Sequence, residues 1–239
     1  MQLVIYTIVL FIVIGGVGMY AGNRKVDRSI ARQRWLKYIV YIFITSFVVI
    51  SIWFGFLLAV AAFIVLAGYY EIVRTIDSCR RPWLALLIYT VVVAGFVFYS
   101  WKFEKKFQFF IYLQVLAFDA FSQVTGQLIG KTPITPRISP AKTAEGLLGG
   151  LSFSVLSALL ISSWMGISLV TAMAYGIFTA IFGFAGDILA SFYKRTVGIK
   201  DYSNLLPGQG GFLDRFDSFI MATFCYSLIY LFKPNEIPA

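Results

Sequence analysis

The chain has no histidine, and this excludes a Ser-His-Asp or Cys-His triad, a histidine metal site and any imidazole proton shuttle. Cysteine is nearly as scarce. Cys79 and Cys225 stand far apart, one in a loop and one in an apolar run, so neither a structural disulfide nor a thiolate site is expected. Charge is thin as well: 13% of residues are charged against 59% hydrophobic, with a mean hydropathy of +0.82. That balance is incompatible with an ordinary soluble domain and places the chain in a membrane. The chemistry open to it must come from carboxylates, lysines, hydroxyls, amides or a metal held by oxygen, a ligand set that suits Mg²⁺. Internal repeats and low-complexity linkers are also missing, so residues 1–239 read as one membrane domain, with N-terminal helices in 1–107 and polar loops between helices in 108–239.

What is present is a series of apolar runs, each near the roughly 17 to 25 residues a helix needs to cross a hydrocarbon core of about 30 Å. They lack the period-2 alternation of a β-barrel strand. The first, Gln2 to Gly22, has no basic segment before it and no small-residue cleavage site after it, and reads as a retained helix. The expected architecture is all-α and polytopic, with about eight transmembrane helices (seven to nine) at 2–22, 38–53, 55–73, 83–101, 108–130, 147–164, 167–192 and 214–232. The second pair comes from one run, Tyr38 to Tyr70, that is too long for one untilted span, with Gly55 as the turn. With eight spans, loops 23–37, 74–82, 131–146 and 193–215 share a side and carry six, three, three and four Lys and Arg, sixteen of the twenty. The positive-inside rule makes that side cytoplasmic, although the lysines of KFEKK at 102–106 fall opposite. The formal charge of +9 would attract anionic headgroups and phosphate ligands. Nucleic acid is not expected as a partner without a soluble basic module.

The acidic residues are few enough to take singly. Asp27, Asp77, Glu104 and Glu236 lie beside basic residues in loops or the tail, and Glu71 closes the third span at the interface. Asp119 in VLAFDAFSQVTGQ and Asp187 in IFGFAGDILASFYKR lie inside apolar runs. A carboxylate at that depth costs at least about 2.5 kcal/mol, so each should face a protein interior, a watery cavity or a cation. Asp187, Ser191 and Arg195 follow one another at spacings of four, along one helix face. That face leads into KDYSNLLPGQGGFLDRFDS, where Lys200, Asp201, Asp214, Arg215 and Asp217 surround Pro207, Gly208, Gly210 and Gly211. Glycines there would let backbone N–H groups approach a ligand, and the next helix would offer an N-terminus that favours anions; a simple helix cap by Asp214 or Asp217 is the alternative. A third patch, GKTPITPRISPAKTAEGLLGG at 130–150, supplies Lys131, Arg137, Lys142, Ser139, Thr143 and Glu145. It reads equally as a phosphate clamp and as a helix start, with Ser139 as cap and Pro140 as first helical residue.

Together these residues resemble a known family. SFYKRTVGIKDYSNLLPGQGGFLDRFD at 191–217 closely resembles the signature of the CDP-diacylglycerol synthases, or phosphatidate cytidylyltransferases: Ser191, Lys194, Arg195, Lys200, Asp201, Ser203, Pro207, Gly208, Gly210, Gly211, Asp214, Arg215 and Asp217 all match. Asp119, Gly126, Gly130 and Lys131 match further, as do Ser139, Pro140, Lys142, Thr143, Glu145 and Gly146, and Gly186 with Asp187. The likeness covers about residues 115–220; the first hundred residues match only as apolar helices.

The resemblance implies transfer of a cytidylyl group from CTP to phosphatidic acid, with Mg²⁺ or another divalent cation such as Mn²⁺ and room for a second ion. It implies Asp187 and Asp214 as metal ligands, with Asp201, Asp217 and Asp119 close by. Lys194, Arg195, Lys200, Arg215 and Lys142 would meet phosphate oxygens, Ser139 and Thr143 would add hydrogen bonds, and Lys131, Ser191, Gly210 and Gly211 would line the substrates. It also implies a bacterial inner membrane, membrane lipids as surroundings and dimerisation through membrane helices. The family's histidine is replaced here by Gln209, Tyr193 fills an apolar slot, and Gln127 stands where relatives often have a basic residue. Two other classes remain open: a CTP-dependent lipid kinase, and an inactive or transporter-like homologue.

Overall fold

Each apolar run becomes a helix. The computed structural model describes residues 2–24, 26–206 and 210–234. In chain order these form α1 (Gln2–Asn23), α2 (Arg28–Phe54), α3 (Leu57–Val73), a 3₁₀ turn at Ile76–Ser78, α4 (Pro82–Lys102), α5 (Lys105–Ile129), β1 (Pro133–Thr135), β2 (Ser139–Thr143), α6 (Ala144–Leu160), the single turn α7 (Ser162–Met165), α8 (Leu169–Thr196) and α9 (Leu213–Phe232). The protein is an all-α polytopic membrane protein. Helices α1, α2, α4, α5 and α8 are long and apolar enough to cross a bilayer, while α3 and α6 are apolar but have 17 residues each.

Gly55 makes the expected break: at φ 81° it closes α2 in the left-handed conformation, its N–H donating to Ile52 O. Helix α2 starts ten residues before the expected 38, at Arg28. Hydropathy marks where a helix can enter lipid, whereas RSIARQRWLK, in which Arg, Ala, Gln, Leu and Lys are all good helix formers, continues the helix beyond that point. Segment 133–143 is an antiparallel hairpin in which Thr135 pairs with Ser139. The expected helix start at Ser139–Pro140 is therefore corrected. Thr143 is the cap of α6, its Oγ1 accepting from Gly146 N at 3.1 Å, and Pro140 sits in a strand whose outer edge needs no donor.

Helix α5 is the axis of the bundle, its residues Phe107 to Phe118 all buried, with α1, α2, α6, α8 and α9 packed around it. Helices α3 and α4 join through α9. The lysines of 102–106 have local work: Lys105 Nζ donates to Trp53 O at the end of α2, and Lys106 Nζ donates to Met165 O at the end of α7. Cations suit these C-terminal carbonyls, which explains lysine on the otherwise poorly charged end. At the opposite end Tyr193 bonds Thr75 at 2.8 Å and Arg195 Nε donates to Ile138 O at 3.0 Å. The segments after α3, α5 and α8 thus gather at one end of the bundle.

Candidate active site

The polar residues of α5, β2, α8 and α9 converge at this gathered end. Gly186 sets how closely α8 meets α9: a Cβ there would lie 2.5 Å from Met221 Cβ and 2.6 Å from Asp217 O. The bare backbone lets α9 approach at the level of Asp187. Lys142 from the hairpin meets Asp187 Oδ1 at 2.6 Å, joining β2 to α8. Asp119 and Asp217 both lie within electrostatic reach of Asp187, and Ser218 neighbours Asp119. Asp217 Oδ1 accepts from Ser218 N at 2.8 Å. Arg215 interacts with the same carboxylates, and its Nε is buried without a hydrogen-bond partner among the described residues.

A second pair lies about two helical turns further along α8. Lys194 Nζ donates to Asp214 Oδ1 at 2.5 Å, with side chains 10% and 1% exposed. Asp214 Oδ2 accepts from Tyr202 N at 2.9 Å and from Gly211 N at 2.8 Å. Tyr202 covers the pair, its ring 5.3 Å from Lys194 Nζ and stacked on Tyr193. Burial, and then the charges of Asp217 and Asp214, push the Tyr202 phenol well above its usual range, so it stays neutral.

The other residues singled out from the sequence lie outside these two ion pairs. Arg195 is exposed and spends its guanidinium on the carbonyls of Ile138 and Ile199, fastening hairpin and loop to α8. Ser191 is buried on α8, while Lys200 and Asp201 are exposed in the following loop. The side chain of Thr143 is engaged as a cap, and Ser139 pairs across the hairpin. The Lys131 amide donates to Glu145 while its side chain faces outward in an exposed residue. Gln209, with Pro207 and Gly208, lies outside the described residues.

The α9 N-terminus differs from expectation. Its first donors do not wait for an anionic ligand: Glu71, fully buried at the end of α3, takes Phe212 N and Leu213 N at 2.9 Å each and the Ser203 hydroxyl at 2.6 Å. The glycines next to it are set by protein carboxylates. Gly210 has φ 84°, and a Cβ there would lie 2.7 Å from Asp214 Oδ2. Glu71 was missed because a carboxylate at the end of an apolar run also fits the interface; its partners lie more than 130 positions away, beyond any local pattern.

Among the described residues, no three acidic or cysteine side chains form a closed set around a metal. The donor set still fits Mg²⁺, which takes one or two carboxylates and fills its octahedron with water and substrate phosphates. The ion pair of Asp187 and the hydrogen bond of Asp217 each fall on one oxygen, Oδ1, and the contacts of Asp214 leave only Oδ1, beside Lys194. Beside Asp217 lies a cavity of ≈640 Å³ walled by Leu84, Ile88 and Val92 of α4, Leu189 and Phe192 of α8, and Ile220 and Met221 of α9. Asp217 and Tyr202 line its polar end, with Arg80 and Arg81 of the α3–α4 loop.

The family comparison falls on the same residues. The model of the cytidylyltransferase family matches residues 107–232. Proteins named phosphatidate cytidylyltransferase are similar over a comparable stretch: that of Aquifex aeolicus is 42% identical over 111 residues (46% of this chain, 42% of that protein). The Staphylococcus saprophyticus protein is 41% identical over 113 residues (46% and 44%). The Bacillus subtilis protein is 35% identical over 128 residues (52% and 48%). The chain spans a little under half the length of these relatives. Because the match takes in α5 to α9, and with them each of the converging carboxylates and both ion pairs, the chain belongs to the cytidylyltransferase family.

Proposed function

We propose that the chain transfers the cytidylyl group of CTP to phosphatidic acid, forming CDP-diacylglycerol and pyrophosphate. The observation that carries this reading is the cavity: apolar along α4 and α8, and lined also by Asp217, Arg80 and Arg81, it suits a substrate with acyl chains and a phosphate head. An oxygen of the lipid phosphate attacks the α-phosphorus of CTP, the bond from that phosphorus to the β-phosphate's bridging oxygen breaks, and pyrophosphate leaves. Charge crowds this transition state, so fixed cations at the phosphates carry much of the stabilisation. Lys142, Lys194 and Arg215 are placed for that role, Lys194 held by Asp214 and Lys142 by Asp187. Arg215 Nε, buried without a hydrogen-bond partner among the described residues, is a donor left for an anion. A divalent cation on Asp187, with Asp119, Asp217 and Asp214 Oδ1 available to it, would polarise phosphate oxygens. Lys200, Arg195, Ser139, Thr143, Lys131 and Ser191 stay in the proposal as residues bordering the substrates.

The family's histidine is not required for deprotonation. A phosphomonoester's second pKa is about 6, so the nucleophile is already anionic at neutral pH. Gln209 then serves as a polar donor: Gln209→Ala should lose much of the activity and Gln209→His should keep it, read as initial rates in the same detergent. A fully active alanine variant beside an inactive histidine variant would contradict this. By the positive-inside rule the excess of Lys and Arg in the basic loops supports a cytoplasmic site, in what this reading takes to be a bacterial inner membrane.

Position of label separates this reaction from a lipid kinase. With CTP labelled at the α-phosphorus, cytidylyl transfer puts the label in lipid and releases unlabelled pyrophosphate. Label reaching lipid only from the γ-position, with CDP released, would favour the kinase.

A further inference from the structure

We infer that Glu71, in α3 and outside the family-matched segment, is a positioning residue for the site, and that the N-terminal helices thereby complete it; this rests on the cytidylyltransfer reading. Its carboxylate is wholly buried with no ion pair to a cation among the described residues, held by three donors from the segment that carries the signature: Ser203 Oγ, Phe212 N and Leu213 N. Two of those are the opening amides of α9, so the charge also meets the positive end of the helix. A Cβ on Gly211 would overlap the Glu71 carboxylate, so that residue is glycine for reasons of packing against α3. Asp214, Arg215 and Asp217 follow within the next turn or so of α9, and Gly211 N is itself bonded to Asp214 Oδ2. Glu71 therefore sets where α9 begins, and with it the height and rotation of the charged residues facing the phosphates. It touches neither substrate.

Glu71→Gln is isosteric but turns one oxygen into an NH₂ that cannot accept from a backbone N–H. Ser203→Ala removes one of the three donors from a partly exposed loop position. Purified in detergent, Glu71→Gln should lower kcat by about tenfold or more, the loss of a hydrogen bond to a charged acceptor, and Ser203→Ala by roughly threefold. KM for phosphatidic acid should stay within about threefold of the wild type, because the acyl chains rest on α4 and α8. Amides of 203–213 should exchange hydrogen faster in Glu71→Gln. A merely structural role would lower the yield of folded protein and leave kcat per folded molecule unchanged. Glu71→Gln that folds with a kcat within about threefold of wild type overturns the inference, whatever its exchange rates; if it does not fold, an unchanged kcat in Ser203→Ala does so. Failure of the wild type to make CDP-diacylglycerol would instead sink the reaction itself, and the exchange rates would still report whether Glu71 holds the loop.

Discussion

Asp187→Asn should leave the protein folded and lower turnover by on the order of 10²–10³-fold, the range for removing one preorganised electrostatic group from a reacting site. Asp187 binds Lys142 at 2.6 Å and faces Asp119 and Asp217, so it joins the hairpin's cation to the carboxylates of α5 and α9. The amide keeps the shape but loses the charge that positions Lys142 and attracts a divalent ion. Stability should hardly change. The side chain is 36% exposed, and pairs of that kind contribute at most about 1 kcal/mol. Initial rates at saturating CTP and a detergent melting curve check both halves. A variant equally active at the wild-type Mg²⁺ concentration would remove Asp187 from the chemistry.

Lys194→Met should behave differently, with loss of both stability and activity. Asp214 is 1% exposed on its side chain, and Lys194 is its only cationic partner among the described residues. Removing one member of a buried pair costs about 3–5 kcal/mol, because the other charge remains without compensation. The two backbone donors to Oδ2 soften this without cancelling it. Lys194→Met combined with Asp214→Asn should regain much of the melting temperature, since neither charge is then stranded. It should regain no activity, because the cation placed for the phosphates is gone. A single variant as stable as the wild type would contradict the buried pair's part in stability.

The helices were legible because hydropathy acts locally: twenty apolar residues have nowhere to go but lipid, and Gly55 marks the one place where a long run must turn. The start of α2 was not, because helix propensity in RSIARQRWLK outlasts apolarity. The hairpin at 133–143 was hidden by Ser139–Pro140, a pair that serves a helix start and an edge strand equally well. In the site, Asp119 and Asp187 stood out as carboxylates inside apolar runs, and the structure brings them together with Asp217. Spacing of four along α8 suggested that Arg195 would share the face of Asp187. Its guanidinium instead serves two backbone carbonyls, and the buried cation is Lys194. The α9 N-terminus shows the limit of local reading: a free helix end and one occupied by Glu71 look alike in the sequence, because the occupant belongs to another helix.

The most direct test is conversion itself: purified protein in detergent with Mg²⁺, CTP and phosphatidic acid, followed by mass spectrometry of the lipid. CDP-diacylglycerol should accumulate in step with pyrophosphate and stop when the divalent cation is chelated. No conversion with Mg²⁺, Mn²⁺ or another divalent ion, in protein that melts cooperatively, would contradict cytidylyl transfer and leave the carboxylates as a transporter-like path or the relic of an inactive homologue.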